Sequence, residues 1–259
     1  ALDVGLQVPH AAVRAYVMGE RAPALEPATA EETQEMGRLV VEALDAGALG
    51  FSTSRTVKHK DVKGGATPTL KAEAMELHGI ARAMGKARKG VLQLIADFKD
   101  TDAEFAMLRG MVEISGRPMS ITIEQDDRWP TVWSRVLDNI AAANADGLPI
   151  RGQVPPRATG LLLGLTASLN PFIMHQTFRR IWGASLDEQL KALRDPAFRA
   201  ALLAEEPDYP AGEIIEMLCV GYHKMFSLGE QPNYEPMPET SAKAVAERTG
   251  RHPREVVLD

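Results

Sequence analysis

A regular alternation of short apolar segments with longer amphipathic ones, over residues 2–154, constrains the fold of this chain most. The predicted strands cover residues 2–8, 48–52, 90–97, 118–125 and 149–154. The predicted helices cover residues 11–18, 30–45, 71–84, 102–115 and 131–146. Strands that alternate with helices are typical of a parallel sheet. The sequence therefore predicts an α/β fold built from the βα units of a (β/α)8 barrel, with about five of its eight strands.

The alternation stops after residue 154, and the rest of the chain is predicted to be mainly helical. Helical patterns cover residues 186–194, 196–206 and 241–249, and Pro-rich loops separate them. We therefore expect two parts. Residues 1–159 form the central βα units of a barrel, and residues 160–259 form a mainly helical, loop-rich insertion or lid.

Two of the predicted helices begin at recognisable capping residues. Thr29 precedes the helix at 30–45, and Glu32, three residues later, completes a capping box. In that motif each side chain accepts a hydrogen bond from the backbone N–H of the other residue. Thr101 is the predicted cap of the helix at 102–115.

The segment GALGFSTSR, residues 47–55, reads as a short strand that ends in polar side chains. In a barrel of this kind, side chains at the carboxyl ends of the strands form the active site. No G-x-S-x-G motif surrounds Ser52 or Ser54, so we interpret these serines as loop-capping hydroxyls and not as nucleophiles. Arg55 is a candidate for a substrate carboxylate, because a guanidinium group binds two oxygens at once.

Composition and charge disfavour several classes of function. The formal net charge of −6, with no Lys/Arg cluster, disfavours a nucleic-acid partner. No apolar run reaches the ~20 residues that a membrane span needs. The single cysteine, Cys219, cannot form an internal disulfide, so a cytoplasmic location is expected. The chain begins without Met and directly with a strand-like segment, so we expect a fragment of a longer protein.

Three residues at predicted strand ends are candidates for a metal region. His10 follows the first predicted strand, and Asp97 and Glu124 lie at the ends of the third and fourth. Groups of this kind at neighbouring strand ends can hold a metal or transfer protons. The structural alternatives are that His10 caps a backbone group in the turn and that the carboxylates cap the next helices. The histidines after residue 170 lack the spacing of a metal pair, so spacing alone identifies no metal site.

Several cations are candidates for binding an anionic substrate. Arg151, Gln153 and Arg157 surround the fifth predicted strand and the turn after it. Two cations at the mouth of a barrel suit a carboxylate. The structural alternative is an ion pair of each arginine with an acidic residue of a neighbouring loop. Together with Arg14 and Arg55, these residues are the predicted substrate-binding set.

Three blocks of this sequence resemble a known family. The blocks are VPHAAVRAYVMG at residues 8–19, GALGFSTSR at 47–55, and GQVPPR at 152–157 followed by GLL at 160–162. They resemble, in the same order, blocks of the N-acyl-D-amino-acid deacylases (D-aminoacylases) of the amidohydrolase superfamily. The resemblance implies a (β/α)8 barrel with one or two zinc ions that activate a water molecule. That water attacks the amide of an N-acyl-D-amino acid and releases a carboxylate and the free amino acid.

The resemblance also implies a departure in the metal ligands. The family's His-x-His pair and its cysteine ligand correspond to positions before Ala1, and its catalytic Asp to a position after Asp259. The histidines of its middle strands have no counterpart in residues 91–97 or 120–125. The chain therefore resembles the central part of a long-chain branch with a different metal set.

The sequence thus predicts a zinc-dependent amidohydrolase that acts on the C–N amide bond of a small molecule, an N-acyl amino acid. Two alternatives stay open. One is a catalytically silent barrel fragment that associates with itself as a homo-oligomer, because unpaired strand edges favour pairing with another chain. The other is an amidohydrolase that acts on cyclic amides.

Overall fold

The computed structural model describes residues 2–61, 64–156, 159–167, 169–207, 209 and 214–259. Contacts between residues in space divide the chain into two compact units, residues 1–157 and 158–259. All the strands of the described residues lie in the first unit. The role of residues 160–259 as an insertion or lid stays a prediction.

The first unit consists of five strands that alternate with five helices. The strands are β1 Gln7–Pro9, β2 Gly50–Arg55, β3 Val91–Ala96, β4 Met119–Thr122 and β5 Ile150–Gln153. The helices are α1 His10–Met18, α2 Ala30–Asp45, α3 Ala74–Ala87, α4 Thr101–Ser115 and α5 Val132–Ala145. A short 3-10 turn, Gly19–Arg21, follows α1.

The strands form one parallel sheet in chain order, from β1 to β5. A doubly wound sheet reverses its strand order at a switch point and carries helices on both faces. Here each strand lies beside its predecessor, and the helices of this unit share one apolar core with one face of the sheet. This is the arrangement of consecutive units in a (β/α)8 barrel. The predicted α/β fold is confirmed.

The sheet has one apolar and one polar face, because successive side chains of a strand point to opposite sides. Phe51, Leu92, Met119 and Ile150 are cross-strand neighbours in register and are buried against the helices. The opposite face, which we call the polar sheet face, carries two further in-register rows: Ser52, Gln93, Ser120 and Arg151, then Ser54, Ile95, Thr122 and Gln153. Its residues are half-buried in β2, β3 and β4 and exposed in β5.

Several predicted strand boundaries are wrong, and pairing with a neighbouring strand explains two of them. Of the predicted strand at 2–8, only the end lies in β1, because the partner strand β2 begins at Gly50, the residue opposite Gln7. The strand predicted at 48–52 continues through residues 53–55, because each of these three residues pairs with a residue of β3. Hydrogen bonding to a neighbour, which no single segment encodes, decides both boundaries.

Helix capping agrees with the sequence at α2 and differs at α4. The capping box is confirmed: Thr29 Oγ1 accepts from the Glu32 N–H at 3.1 Å, and the Glu32 carboxylate accepts from the Thr29 N–H at 2.8 Å. At α4 the cap is Asp100, whose side chain accepts from the Ala103 N–H, and Thr101 is already helical.

The described residues of the second unit form helices that are joined by loops. Its helices are α6 Gln176–Arg179, α7 Leu186–Arg194, α8 Pro196–Ala204, α9 Ile214–Val220, α10 Ala242–Thr249 and α11 Pro253–Leu258. Two 3-10 turns, Tyr222–Lys224 and Pro238–Thr240, lie between α9 and α10. A small core is formed by Phe172, Phe178, Leu193 and Leu202.

In the part of the chain that the structure describes, no helix has both the length and the apolar character needed to cross a bilayer.

The capping box at α2 generates a stability prediction. We expect Thr29→Ala to lower the free energy of unfolding by about 1 kcal/mol, because it removes the acceptor of an otherwise unpaired helix N–H. Thr131→Ala is the matched control, since Thr131 precedes α5 without making a side-chain capping bond. Urea unfolding followed by circular dichroism measures both variants, and equal losses would contradict the prediction.

Candidate active site

A buried hydrogen-bond network joins the end of β1 to β2 and α3. His10 directly follows β1, is 1% exposed, and has its Nδ1 atom 2.9 Å from Thr53 Oγ1 of β2. Its Nε2 atom lies 2.7 Å from Oε1 of Glu76, in the first turn of α3. The network therefore fixes the carboxyl ends of two neighbouring strands to the same helix.

Arg14, one turn after His10 on α1, extends this network to two loops. The side chain is fully buried, and its Nε donates to Glu76 Oε1 at 2.8 Å. Its other nitrogens donate to backbone carbonyls of Ala22, Glu26 and Pro68. One guanidinium thus holds the loop after α1 and the loop before α3 in place.

The charges in this network follow from burial and pairing. Desolvation lowers the pKa of His10 by more than the hydrogen bond with Glu76 raises it. Burial acts to raise the pKa of Glu76, but His10 and Arg14 together outweigh it and lower that pKa. Glu76 is therefore ionised and His10 neutral at pH 7. Since a carboxylate only accepts, His10 carries its proton on Nε2, and its Nδ1 accepts from the Thr53 hydroxyl.

Sequence reasoning missed Glu76, although one signal was present. In α3 the buried residues include Glu76, Ile80 and Met84, which are spaced four residues apart and so share one helical face. A glutamate in an apolar stripe indicates a buried carboxylate that needs a partner. The partners lie 62 and 66 residues away in sequence, and only the fold brings them together.

A second polar cluster lies at the carboxyl ends of β3 and β4. Lys58, from the loop between β2 and α3, forms an ion pair with Glu124 and lies 3.6 Å from Asp126 Oδ2. Arg128 donates to both oxygens of Asp126, at 2.9 and 2.6 Å. These bonds hold the pKa of the Asp126 carboxyl at about 2. Lys58 and Asp126 were not among the predicted site residues.

Asp97 organises the loop after β2. Its Oδ1 accepts from the Thr56 hydroxyl at 2.6 Å, and its Oδ2 accepts from the Val57 N–H at 2.9 Å. Both carboxylate oxygens are therefore used within the protein. Asp97 therefore orders the loop after β2. It does not cap the next helix, which was the structural alternative given for this carboxylate.

The three predicted metal residues do not fit a zinc site in this geometry. Both nitrogens of His10 and both oxygens of Asp97 have protein partners, and Glu124 is paired with Lys58. Within the described ranges, no three His, Cys, Asp or Glu side chains form a group that could hold a metal ion. Zinc needs about four converging donors of these types. The metal-binding role of these residues stays a prediction without geometric support.

Two of the predicted substrate-binding arginines are committed to the protein. Arg55 donates from Nε and Nη2 to Glu104 and from Nη1 to the Ala72 carbonyl. Arg14 is fully enclosed, as described above, so its guanidinium has no contact surface for a substrate. For both residues, substrate binding stays a prediction, and their observed contacts are structural.

The other predicted substrate-binding residues lie on or near the polar sheet face. Gln153 is exposed, and its Oε1 accepts from Ser120 Oγ at 3.1 Å. Arg151 is exposed, and its Nη1 donates to Asn144 and to the Ile150 carbonyl. Arg157 lies outside the described residues. Among the members of the predicted set that the structure describes, Arg151 and Gln153 are therefore the two that a ligand can reach.

Comparison with known proteins decides the family. The profile of the Amidohydrolase family matches residues 1–218, which is most of the chain. The chain belongs to the amidohydrolase family. This agrees with the resemblance of the three sequence blocks.

Two of the proteins that the chain is similar to are named N-acyl-D-glutamate deacylase. The chain is 31% identical over 160 residues to the N-acyl-D-glutamate deacylase of Alcaligenes xylosoxydans xylosoxydans, a match that covers 60% of this chain and 30% of that protein. It is similar to the crystal structure of N-acyl-D-glutamate deacylase from Bordetella bronchiseptica, complexed with zinc and a phosphonate inhibitor, with 24% identity, a TM-score of 0.48, and 60% and 31% of the two chains covered.

A crystal structure of D-aminoacylase matches with 21% identity and a TM-score of 0.49, over 62% of this chain and 32% of that one. The chain thus spans about a third of the length of the amidohydrolases it matches.

The buried Glu76 generates the first site prediction. We expect Glu76→Gln to lower the free energy of unfolding by about 3–5 kcal/mol, because the buried charge of Arg14 loses its counter-charge. The control is Glu42→Gln, whose partner is the exposed Arg38, and we expect a loss below about 1 kcal/mol. Urea unfolding measures both variants. Similar losses would contradict the assigned role of Glu76.

The lowered pKa of His10 generates a pH prediction. As pH falls through about 6.5, the unfolded chain takes up a proton that folded His10 does not. The stabilisation is therefore complete above about pH 7 and decreases below 6.5. We expect the urea midpoint to fall between pH 7.5 and 5.5, and to fall less in His10→Gln. Both proteins carry His175→Gln, because burial also lowers the pKa of His175. Equal falls in both would contradict the prediction.

Proposed function

We propose that this protein is an amidohydrolase that hydrolyses the C–N amide bond of N-acyl amino acids, and that the polar sheet face forms part of its substrate-binding wall. Family membership supports the class of reaction. The observation that carries the binding role is the row Ser52, Gln93, Ser120 and Arg151, in register across four strands. The interior of a (β/α)8 barrel is usually filled by bulky apolar side chains, so hydroxyl and amide groups there favour a polar ligand.

The chemistry of this face suits an N-acyl amino acid. Such a substrate has a carboxylate, an amide and an acyl chain. Arg151 offers a guanidinium for the carboxylate, since charge-assisted bonds to a planar fork are the strong ones. Gln153 and Ser120 already hydrogen-bond each other and offer donor and acceptor groups for an amide.

The buried arginine supports this proposal indirectly. Arg14 holds the Pro68 carbonyl in the loop between β2 and α3. Lys58, of the same loop, lies at the ends of β3 and β4. Rigid loops at the carboxyl ends of barrel strands keep reacting groups in place.

We further propose a D-amino acid with an acidic side chain as the substrate. The support is the 31% identity to a protein named N-acyl-D-glutamate deacylase. A second carboxylate on the substrate also agrees with the arginines, Arg151 and Arg157, predicted at the barrel mouth.

Zinc dependence was predicted from the sequence, and it stays a prediction. Since His10, Asp97 and Glu124 are engaged by protein groups, zinc in the complete protein needs other ligands. A cytoplasmic location, self-association and hydrolysis of cyclic amides also stay predictions.

Substitution of Arg151 in the full-length protein tests the proposed function. For N-acetyl-D-glutamate, we expect Arg151→Ala to lower kcat/KM about 10- to 100-fold, the loss typical of one hydrogen bond to a charged group. Arg157→Ala, measured in the same assay, tests the sequence-based prediction that Arg157 also binds the substrate carboxylate.

The matched control is Arg135→Ala, on the exposed surface of α5, where the arginine pairs with Asp102. We expect its kinetics to equal those of the parent protein. Unchanged kinetics for both Arg151→Ala and Arg157→Ala would remove the carboxylate-binding role. No hydrolysis of any N-acyl amino acid by the parent protein would overturn the proposed reaction.

A further inference from the structure

We propose that the second unit contains an acid-sensitive latch, in which protonation of the buried His175 releases α6 from the segment that follows α8. His175 directly precedes α6. The inference concerns the second unit alone and is independent of the function proposed above. All the side chains that it uses lie between residues 172 and 254, within that unit.

The His175 side chain is buried without hydrogen-bond partners. It is 1% exposed, and among the described residues neither its Nδ1 nor its Nε2 has a partner. The Phe172 carbonyl lies close enough to favour a protonated ring, but it accepts from the His175 backbone N–H at 2.9 Å and forms no hydrogen bond with the ring. Most buried polar side-chain atoms have a partner, so an imidazole with two unpaired nitrogens needs an explanation.

Aromatic neighbours accommodate the neutral form of this ring. The Phe172 ring meets the His175 ring at an angle of 61°, with the centroids 5.4 Å apart. Phe172 also packs against Phe178 of α6. An uncharged imidazole costs little in such surroundings, whereas an imidazolium loses its hydration there and gains no acceptor.

The charged groups that act on the ring come from two other parts of the unit. Arg254 of α11 is 5% exposed, and its charge disfavours a second cation at His175. Glu205 and Glu206, which follow α8, favour that cation. Desolvation is the largest effect, and together with Arg254 it outweighs both carboxylates and lowers the pKa of His175. The ring is therefore neutral at pH 7.

The nearer carboxylate is already used by α6. Glu205 accepts from the backbone N–H of Thr177 at 2.9 Å and from that of Gln176. These are N–H groups of the first turn of a helix, which have no partner within the helix itself. A protonated His175 therefore gains an acceptor in one of two ways: it turns to Glu205 and competes with the start of α6, or it moves out to water.

Arg254 fixes the other side of the same junction. Its Nη1 donates to the carbonyls of Leu203 and Glu205 at 3.1 and 2.6 Å, and its Nη2 lies 3.2 Å from the Glu206 carboxylate. The segment after α8 is thus bound to α11 through a guanidinium and to α6 through a carboxylate. A second positive charge at His175 is relieved when α6 moves away from Arg254.

The lowered pKa fixes the direction of the effect. When the latch is open and the ring is hydrated, His175 takes up a proton near pH 6.5, whereas the closed form does not. The latch is therefore closed above about pH 7, and the open form becomes more populated as pH falls below 6.5. At pH 5.5 this linkage raises the ratio of open to closed form by at most about tenfold.

Hydrogen–deuterium exchange of the full-length protein at pH 7.5 and 5.5, read by mass spectrometry and corrected for the intrinsic effect of pH, tests the latch. We expect the protection of residues 172–181 to fall about five- to tenfold in the parent protein. In His175→Phe we expect a change of less than about twofold, because the new ring cannot take up a proton and still packs against Phe172.

The second non-titrating variant is His175→Gln, which keeps the test decisive where His175→Phe fails to fold. Its matched control is His223→Gln, at an exposed histidine of the same unit, and we expect this control to keep the pH response of the parent protein. An equal loss of protection in the parent and in the His175 variants would overturn the latch. Unchanged protection of residues 172–181 in the parent would overturn it too, and the proposed function would stand in either case.

Discussion

The first unit depends on one buried carboxylate. Glu76 accepts hydrogen bonds from His10 and Arg14, and neither basic side chain has significant exposure to solvent. A buried guanidinium without a counter-charge is costly, so the position of α3 and the position of α1 are coupled through this contact. Because Arg14 also binds three loop carbonyls, the order of those loops depends on the same carboxylate.

The division of the sheet into an apolar and a polar face has consequences for function. The apolar face packs against the helices, and together they form the hydrophobic core of the first unit. The polar face is then free to carry chemistry that differs among proteins of one fold. In this chain it carries hydroxyl, amide and guanidinium groups, which can hydrogen-bond the amide and the carboxylate of the substrate that we propose.

The strand ends of this amidohydrolase hold internal ion pairs where a metal region was predicted. Lys58 lies between Glu124 and Asp126, and Arg128 neutralises Asp126 further. Carboxylates that already have cationic side chains as partners are poor ligands for an added cation. The metal candidates were chosen because they were predicted to lie at strand ends, and the structure places them there. That position alone does not show which side chain each carboxylate pairs with.

Local patterns placed the predicted helices to within three residues of their observed bounds, the largest difference being at α3, predicted at 71–84 and observed at Ala74–Ala87. Tertiary contacts decided the strand ends and the site. Helix α2 has the predicted bounds, because the capping box that starts it is encoded within four residues. Strand β1 is shorter than predicted, because a strand extends only as far as its neighbour pairs with it. Glu76 lies in a helix and Lys58 in a loop, and both are far in sequence from their partners. Periodicity is a property of one segment, whereas a hydrogen-bond partner is a property of the folded chain.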